Sequence, residues 1–107
     1  MRAARVDANQ AKIVAALRGY GCAVQHLHEV GRGCPDLAIG ARTRDGFLRI
    51  GFVEIKDGSK PPSARKKTPD QIKWWDEWKG APMAIVTDVD GALRFARLLA
   101  FEPETLT

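Results

Sequence analysis

The stretch that most constrains the fold is Ile50-Gly-Phe-Val-Glu-Ile55-Lys56, which is apolar almost throughout and then ends in charge. A strand with one face in water alternates apolar and polar residues. A strand covered on both faces does not alternate. The run therefore predicts a strand, over Phe47 to Lys56, inside a sheet with other elements on both sides. Glu54 and Lys56 close that strand on one face, because side chains alternate along a strand. Charges continuing an apolar strand are costly unless used or paired.

The rest of the chain supplies the covering layers. Asp7 with Gln10 three residues on has the spacing of a capped helix start, and Ile13, Val14 and Leu17 follow at helical intervals. Gly19 and Gly21 end that helix. Cys22 to His28 reads as a short strand with Val24, His26 and His28 on one face. A loop with Gly31 and Gly33 leads to a strand opened by Asp36, over Asp36 to Ile39, and Asp45-Gly46 marks a hairpin turn. Asp57 to Lys67 is a loop rich in Pro, Ser and basic residues. Thr68-Pro69-Asp70-Gln71 then opens a second helix as a capping box with proline at its first position. Trp74, Trp75 and Trp78 give this helix a heavy aromatic face, and Gly80 with Pro82 stops it. Met83 to Val86 reads as another buried strand. Asp88 caps a last helix with Ala92, Leu93, Ala96 and Leu99 on one face. The order α-β-β-β-α-β-α predicts an α/β fold, a mixed four-stranded sheet flanked by helices. At 107 residues the chain forms one domain. Its core is expected over about residues 7–98, with a short loose tail.

Composition excludes several classes. Two cysteines, Cys22 and Cys34, cannot build a disulfide framework, and with His26 and His28 they fit no familiar zinc spacing, so they read as half-buried free thiols. No apolar run approaches the roughly 20 residues that span a bilayer, and the first residues lack the apolar core of a secretory signal. The expectation is an intracellular, cytoplasmic protein with no membrane partner. The net charge of +4 is compatible with a polyanionic partner. Its distribution says more: Lys56, Lys60, Arg65, Lys66 and Lys67 stand within twelve residues that hold one acid, Asp57.

Asp36 precedes Glu54 by 18 residues on the neighbouring strand of the hairpin. With Asp36 across from Glu54, two carboxylates, one ammonium and the Ile55 carbonyl converge at a strand end. Hard oxygen ligands of this kind suit Mg²⁺ or Mn²⁺.

Pro35-Asp36 with Glu54-Ile55-Lys56 resembles the PD-(D/E)xK nuclease motif, and the order of elements resembles that superfamily's restriction-endonuclease-like core. Gly33-Cys34-Pro35-Asp36-Leu37, the Glu54-Ile55-Lys56 strand and the Thr68-Pro69-Asp70-Gln71 helix are most similar to the VRR-NUC branch of virus-type and DNA-repair nucleases. Archaeal Holliday junction resolvases are more distantly similar. The resemblance implies a metal-dependent endonuclease acting on DNA, such as a junction, flap or other branched form, in a bacterium or a virus-infected cell. It implies Asp36 and Glu54 as metal ligands and Lys56 as the catalytic lysine. Gln71 matches a glutamine near the active site, although it also fits a capping box. Where the family often has a glutamate in the first helix, this chain has Gln10, which either completes the metal shell or caps its helix. Arg32, Lys60, Arg65, Lys66 and Lys67 are the expected DNA contacts. A homodimer would let two sites address both strands. Two alternatives stand beside this reading. One is a catalytically inactive nucleic-acid-binding module on the same fold. The other is an interaction protein using its tryptophan face.

Overall fold

The computed structural model describes residues 9–101. The elements run α1 (Gln10–Tyr20), β1 (Ala23–His26), β2 (Leu37–Arg42), β3 (Leu48–Ile55), a 3₁₀ turn (Pro62–Arg65), α2 (Pro69–Glu77), β4 (Met83–Val86) and α3 (Val89–Ala100). The strands form one mixed sheet in the order β1-β2-β3-β4. The first three pair antiparallel, and β4 joins β3 in parallel after the crossover through α2. The predicted α/β class and element order match this arrangement.

One face of the sheet carries the core. Leu37, Ile39, Ala41, Val53, Ile55 and Val86 pack into a single buried cluster with Ile13, Val14 and Leu17 of α1 and Ala92, Ala96 and Leu99 of α3. Gly51 lies on this face opposite Ile39, where a side chain would run into Phe95 and Leu99. The opposite face belongs to α2, where Phe52 meets Trp74 and Trp78 edge-on at 5.2 and 5.6 Å, and those two indoles stack at 5.0 Å. No residue of α2 is fully buried.

Several local expectations are corrected. Asp7 lies outside the described residues. Asn9 is the N-cap of α1 without a side-chain cap bond, and Gln10 is the first helical residue, so the expected capping box is not formed. Gln10 is instead drawn into the interior, 1% exposed. β3 is covered on both sides only in its second half. β4 pairs with Phe52–Ile55 alone, and Leu48, Arg49 and Ile50 stay exposed. β2 runs on to Arg42, three residues past the expected end at Ile39, and the turn follows at 43–46. β4 is buried only at Val86, with Ile85 exposed. The other two caps form as read. Thr68 accepts from the Gln71 amide within a complete capping box, and Asp88 accepts from the Gly91 amide.

Candidate active site

The register Leu37↔Val53 continues one step to place Asp36 beside Glu54 at the end of the β2–β3 pair. Two backbone-directed bonds fix Asp36 there. Its carbonyl accepts from the Leu27 amide at 2.7 Å, prolonging the β1–β2 ladder. Its carboxylate Oδ2 accepts from the Ile55 amide at 2.7 Å, replacing the ladder bond that β2 is too short to make. In a strand, the N–H and C=O of one residue point to the same edge. The Ile55 carbonyl therefore faces the edge where Asp36 stands, while Lys56 N–H bonds to the Val86 carbonyl on the other side.

Glu54 and Lys56 share the α2 face with Phe52. Their side chains are only 7% and 14% exposed, with Lys56 Nζ 3.4 Å from Glu54 Oε2. Gln71, at the start of α2, closes the group. Its Nε2 donates to Glu54 Oε2 at 2.9 Å, and its Oε1 accepts from Lys56 Nζ at 3.0 Å and from the Thr68 amide at 2.9 Å. One side chain thus caps the helix and binds both charged residues.

Burial, together with the nearby Asp36 carboxylate, pushes the Glu54 carboxyl up from 4.5 to about 7, with Lys56 and Gln71 opposing the rise. Two carboxylates converge with more negative charge than one ammonium relieves, so a cation between them is favoured. The donors are hard oxygens: the Asp36 and Glu54 carboxylates and the Ile55 carbonyl. Among the described residues no three His, Cys, Asp or Glu side chains gather as a metal cage. Two carboxylates plus a carbonyl, with the remaining positions open to water or phosphate, fit the habits of Mg²⁺ better than those of zinc.

Gln10 is brought to His26, its Nε2 lying 3.2 Å from Nδ1, and its Oε1 is buried without a partner. His26 stands opposite Leu37, on the α1 side of the sheet, whereas Glu54 is on the α2 side. His28 meets His26 edge-on at 5.7 Å.

The expected DNA contacts divide. Arg32 and the basic residues Lys60 and Lys66 are exposed. Lys67 places its ammonium 3.8 Å from the centre of the Trp75 ring, which ties the basic loop to α2. Arg65 has its Nε buried. Asp57 is held ionised by two bonds from Ser59, which lower its carboxyl below the usual range.

By sequence alone Cys34 reads as a half-buried thiol and nothing more. Burial pushes its thiol up, and the negative charges of Glu54 and Asp36 add to the rise. Its position two residues before Asp36 was the available signal. Among the described residues no helix is long and apolar enough to cross a membrane. Compared with known family models, curated proteins and solved structures, the chain shows no match.

Proposed function

We propose that the chain is a divalent-metal-dependent endodeoxyribonuclease of the PD-(D/E)xK type, on a restriction-endonuclease-like fold and nearest in motif to the VRR-NUC nucleases. The observation that carries this reading is the convergence of Asp36, Glu54, the Ile55 carbonyl and Lys56 at one sheet end, with Gln71 bridging the two charged side chains. Asp36, Glu54 and the Ile55 carbonyl would hold Mg²⁺ or Mn²⁺. Bound there, the ion supplies Lewis-acid stabilisation of charge on the phosphate and lowers the pKa of the attacking water.

The chain's own groups do the rest. Lys56 donates from Nζ to the negative charge that develops on the phosphate oxygens, where a fixed ammonium acts more strongly in the transition state than in the ground state. Gln71 holds that ammonium on the Glu54 side and fixes the Glu54 carboxylate through Nε2. Asp36 is anchored through Oδ2 on the Ile55 amide, which fixes its carboxylate beside Glu54. Lys60, Lys66 and Arg32 bear on the DNA backbone beside the site.

The test is cleavage of linear, flap and junction DNA with Mg²⁺ or Mn²⁺ and with chelator. Wild type should cut only with metal. Asp36→Asn and Glu54→Gln should each lose about 100-fold or more, as Lys56→Met should while still binding DNA. Equal cleavage by wild type and Glu54→Gln would end this reading. Salt-sensitive DNA binding without cleavage would favour the inactive binding module.

A further inference from the structure

We propose that the backbone contact between Gly33 and the first turn of α2 is a positioning element, setting the distance between Asp36 and the Glu54–Lys56 pair. The loop before β2 carries three successive residues with positive φ, Gly31 at 76°, Arg32 at 55° and Gly33 at 80°. Arg32 is the only non-glycine in that region among the described residues. Such a run is disfavoured on its own and persists where the surroundings impose it.

The surroundings are α2. A Cβ on Gly33 would overlap the Asp70 carbonyl and stand 2.6 Å from the Gln71 amide nitrogen. Gly31 has nearly the same positive φ, yet a Cβ there would meet nothing within 4 Å. The two glycines therefore separate two requirements. Gly31 is needed for its φ alone; Gly33 is needed for its φ and for a place against α2.

That place closes a ring of contacts. Gly33 leads in three residues to Asp36. Asp36 binds the Ile55 amide, adjacent to Glu54. Glu54 accepts from the Gln71 side chain. The Gln71 backbone returns to Gly33. The links are backbone, the Asp36 carboxylate and the hydrogen-bonded Glu54–Gln71 side chains, so a displacement at Gly33 is passed on to Asp36 on one side and to Gln71 on the other. Its importance for turnover rests on the nuclease reading above; the ring itself is measurable without activity.

The experiment compares Gly31→Ala with Gly33→Ala in the ¹⁵N-labelled full chain, by amide chemical shifts and by the kinetics of metal-dependent cleavage. Gly31→Ala should lower the melting temperature yet leave the Ile55 and Gln71 amides at their wild-type positions, with kcat essentially unchanged. Gly33→Ala should move both amides together and lower kcat by about 10- to 100-fold at an unaltered KM for DNA, the cost expected of a misplacement near 1 Å. Wild-type Ile55 and Gln71 shifts in Gly33→Ala, or equal displacement in Gly31→Ala, would overturn the proposal. Should Gly33→Ala not fold, Thr68→Ala loosens the same turn from the helix side. It should shift the Gly33 and Cys34 amides, and unshifted amides there would overturn the proposal equally. A wild type that cuts no DNA with either metal defeats the nuclease reading, while the amide shifts still decide the ring.

Discussion

On the α1/α3 side of the sheet, Leu37, Ile39, Val53 and Ile55 meet Ile13, Leu17, Ala96 and Leu99, almost all of them fully buried. On the α2 side, Phe52 meets Trp74 and a partly exposed Trp78, and two residues along the same strand Glu54 meets an amide and an ammonium. A neighbouring pair of β3 residues, Val53 and Glu54, thus serves opposite ends. The first face lowers the free energy of the fold by removing apolar area from water. The second holds a carboxyl whose charge is costly to bury and a helix with no buried residue. The stable face lets the other be polar, and the polar face is where chemistry is available.

The largest effect that sharpens this contrast is on stability. Leu17→Ala should cost about 3 kcal/mol, whereas Trp74→Ala, a larger truncation on the half-exposed face, should cost about 2 kcal/mol. Denaturant unfolding of both variants measures it; a costlier Trp74→Ala would erase the distinction.

Metal should act on the α2 face alone. At a concentration 100 times its Kd, Mg²⁺ or Mn²⁺ should stabilise the native protein by about 2.7 kcal/mol, and Glu54→Gln should abolish most of this. The sign of the pH dependence follows from Glu54, whose carboxyl is raised from 4.5 to about 7. Below about 4.5 both folded and unfolded states hold the proton. As pH rises from there towards 7 the unfolded state ionises first, so stability is lost, and the loss is complete above 7. Metal replaces that proton. Its stabilising shift should therefore be greater at pH 8 than at pH 5.5, as thermal melts at the two pH values would show. An equal shift at both would remove Glu54 from the ligand set.

A smaller comparison uses the two helix caps. Asp88→Ala and Thr68→Ala each remove a side-chain acceptor and should each cost about 1 kcal/mol. They should differ in activity. Thr68→Ala frees the turn that carries Gln71 and lowers cleavage, and Asp88→Ala leaves it unchanged. The least disruptive test replaces Lys60 and Lys66 together. Each phosphate left without its cation should reduce the log–log salt slope of duplex binding by about 0.9, with no change in melting.

What the sequence made legible was whatever depends on near neighbours. The capping box at Thr68–Gln71 and the Asp88 cap are set by residues three apart, and both form. The pairing of Asp36 with Glu54 was legible because a hairpin fixes register through its turn. Gln10 had the right spacing for a cap, but its amide is taken by His26, sixteen residues away, and local spacing carries no information on that. The open half of β3 was hidden for a similar reason: its apolar residues look alike, and α2 packs on that face at Phe52 and Glu54, leaving Leu48 and Ile50 exposed. Cys34 was missed because its surroundings depend on a loop folded against α2, which no periodicity records.

The shared Gln71 oxygen has a consequence for heat. Because one atom receives both the Thr68 amide and the Lys56 ammonium, fraying of a single helical turn disorganises the lysine while the apolar cluster beneath stays intact. Helix ends with few buried contacts open at lower free energy than a core does. On warming, turnover should therefore fail several degrees before the molecule melts, and return at once on cooling, because nothing in the core has come apart.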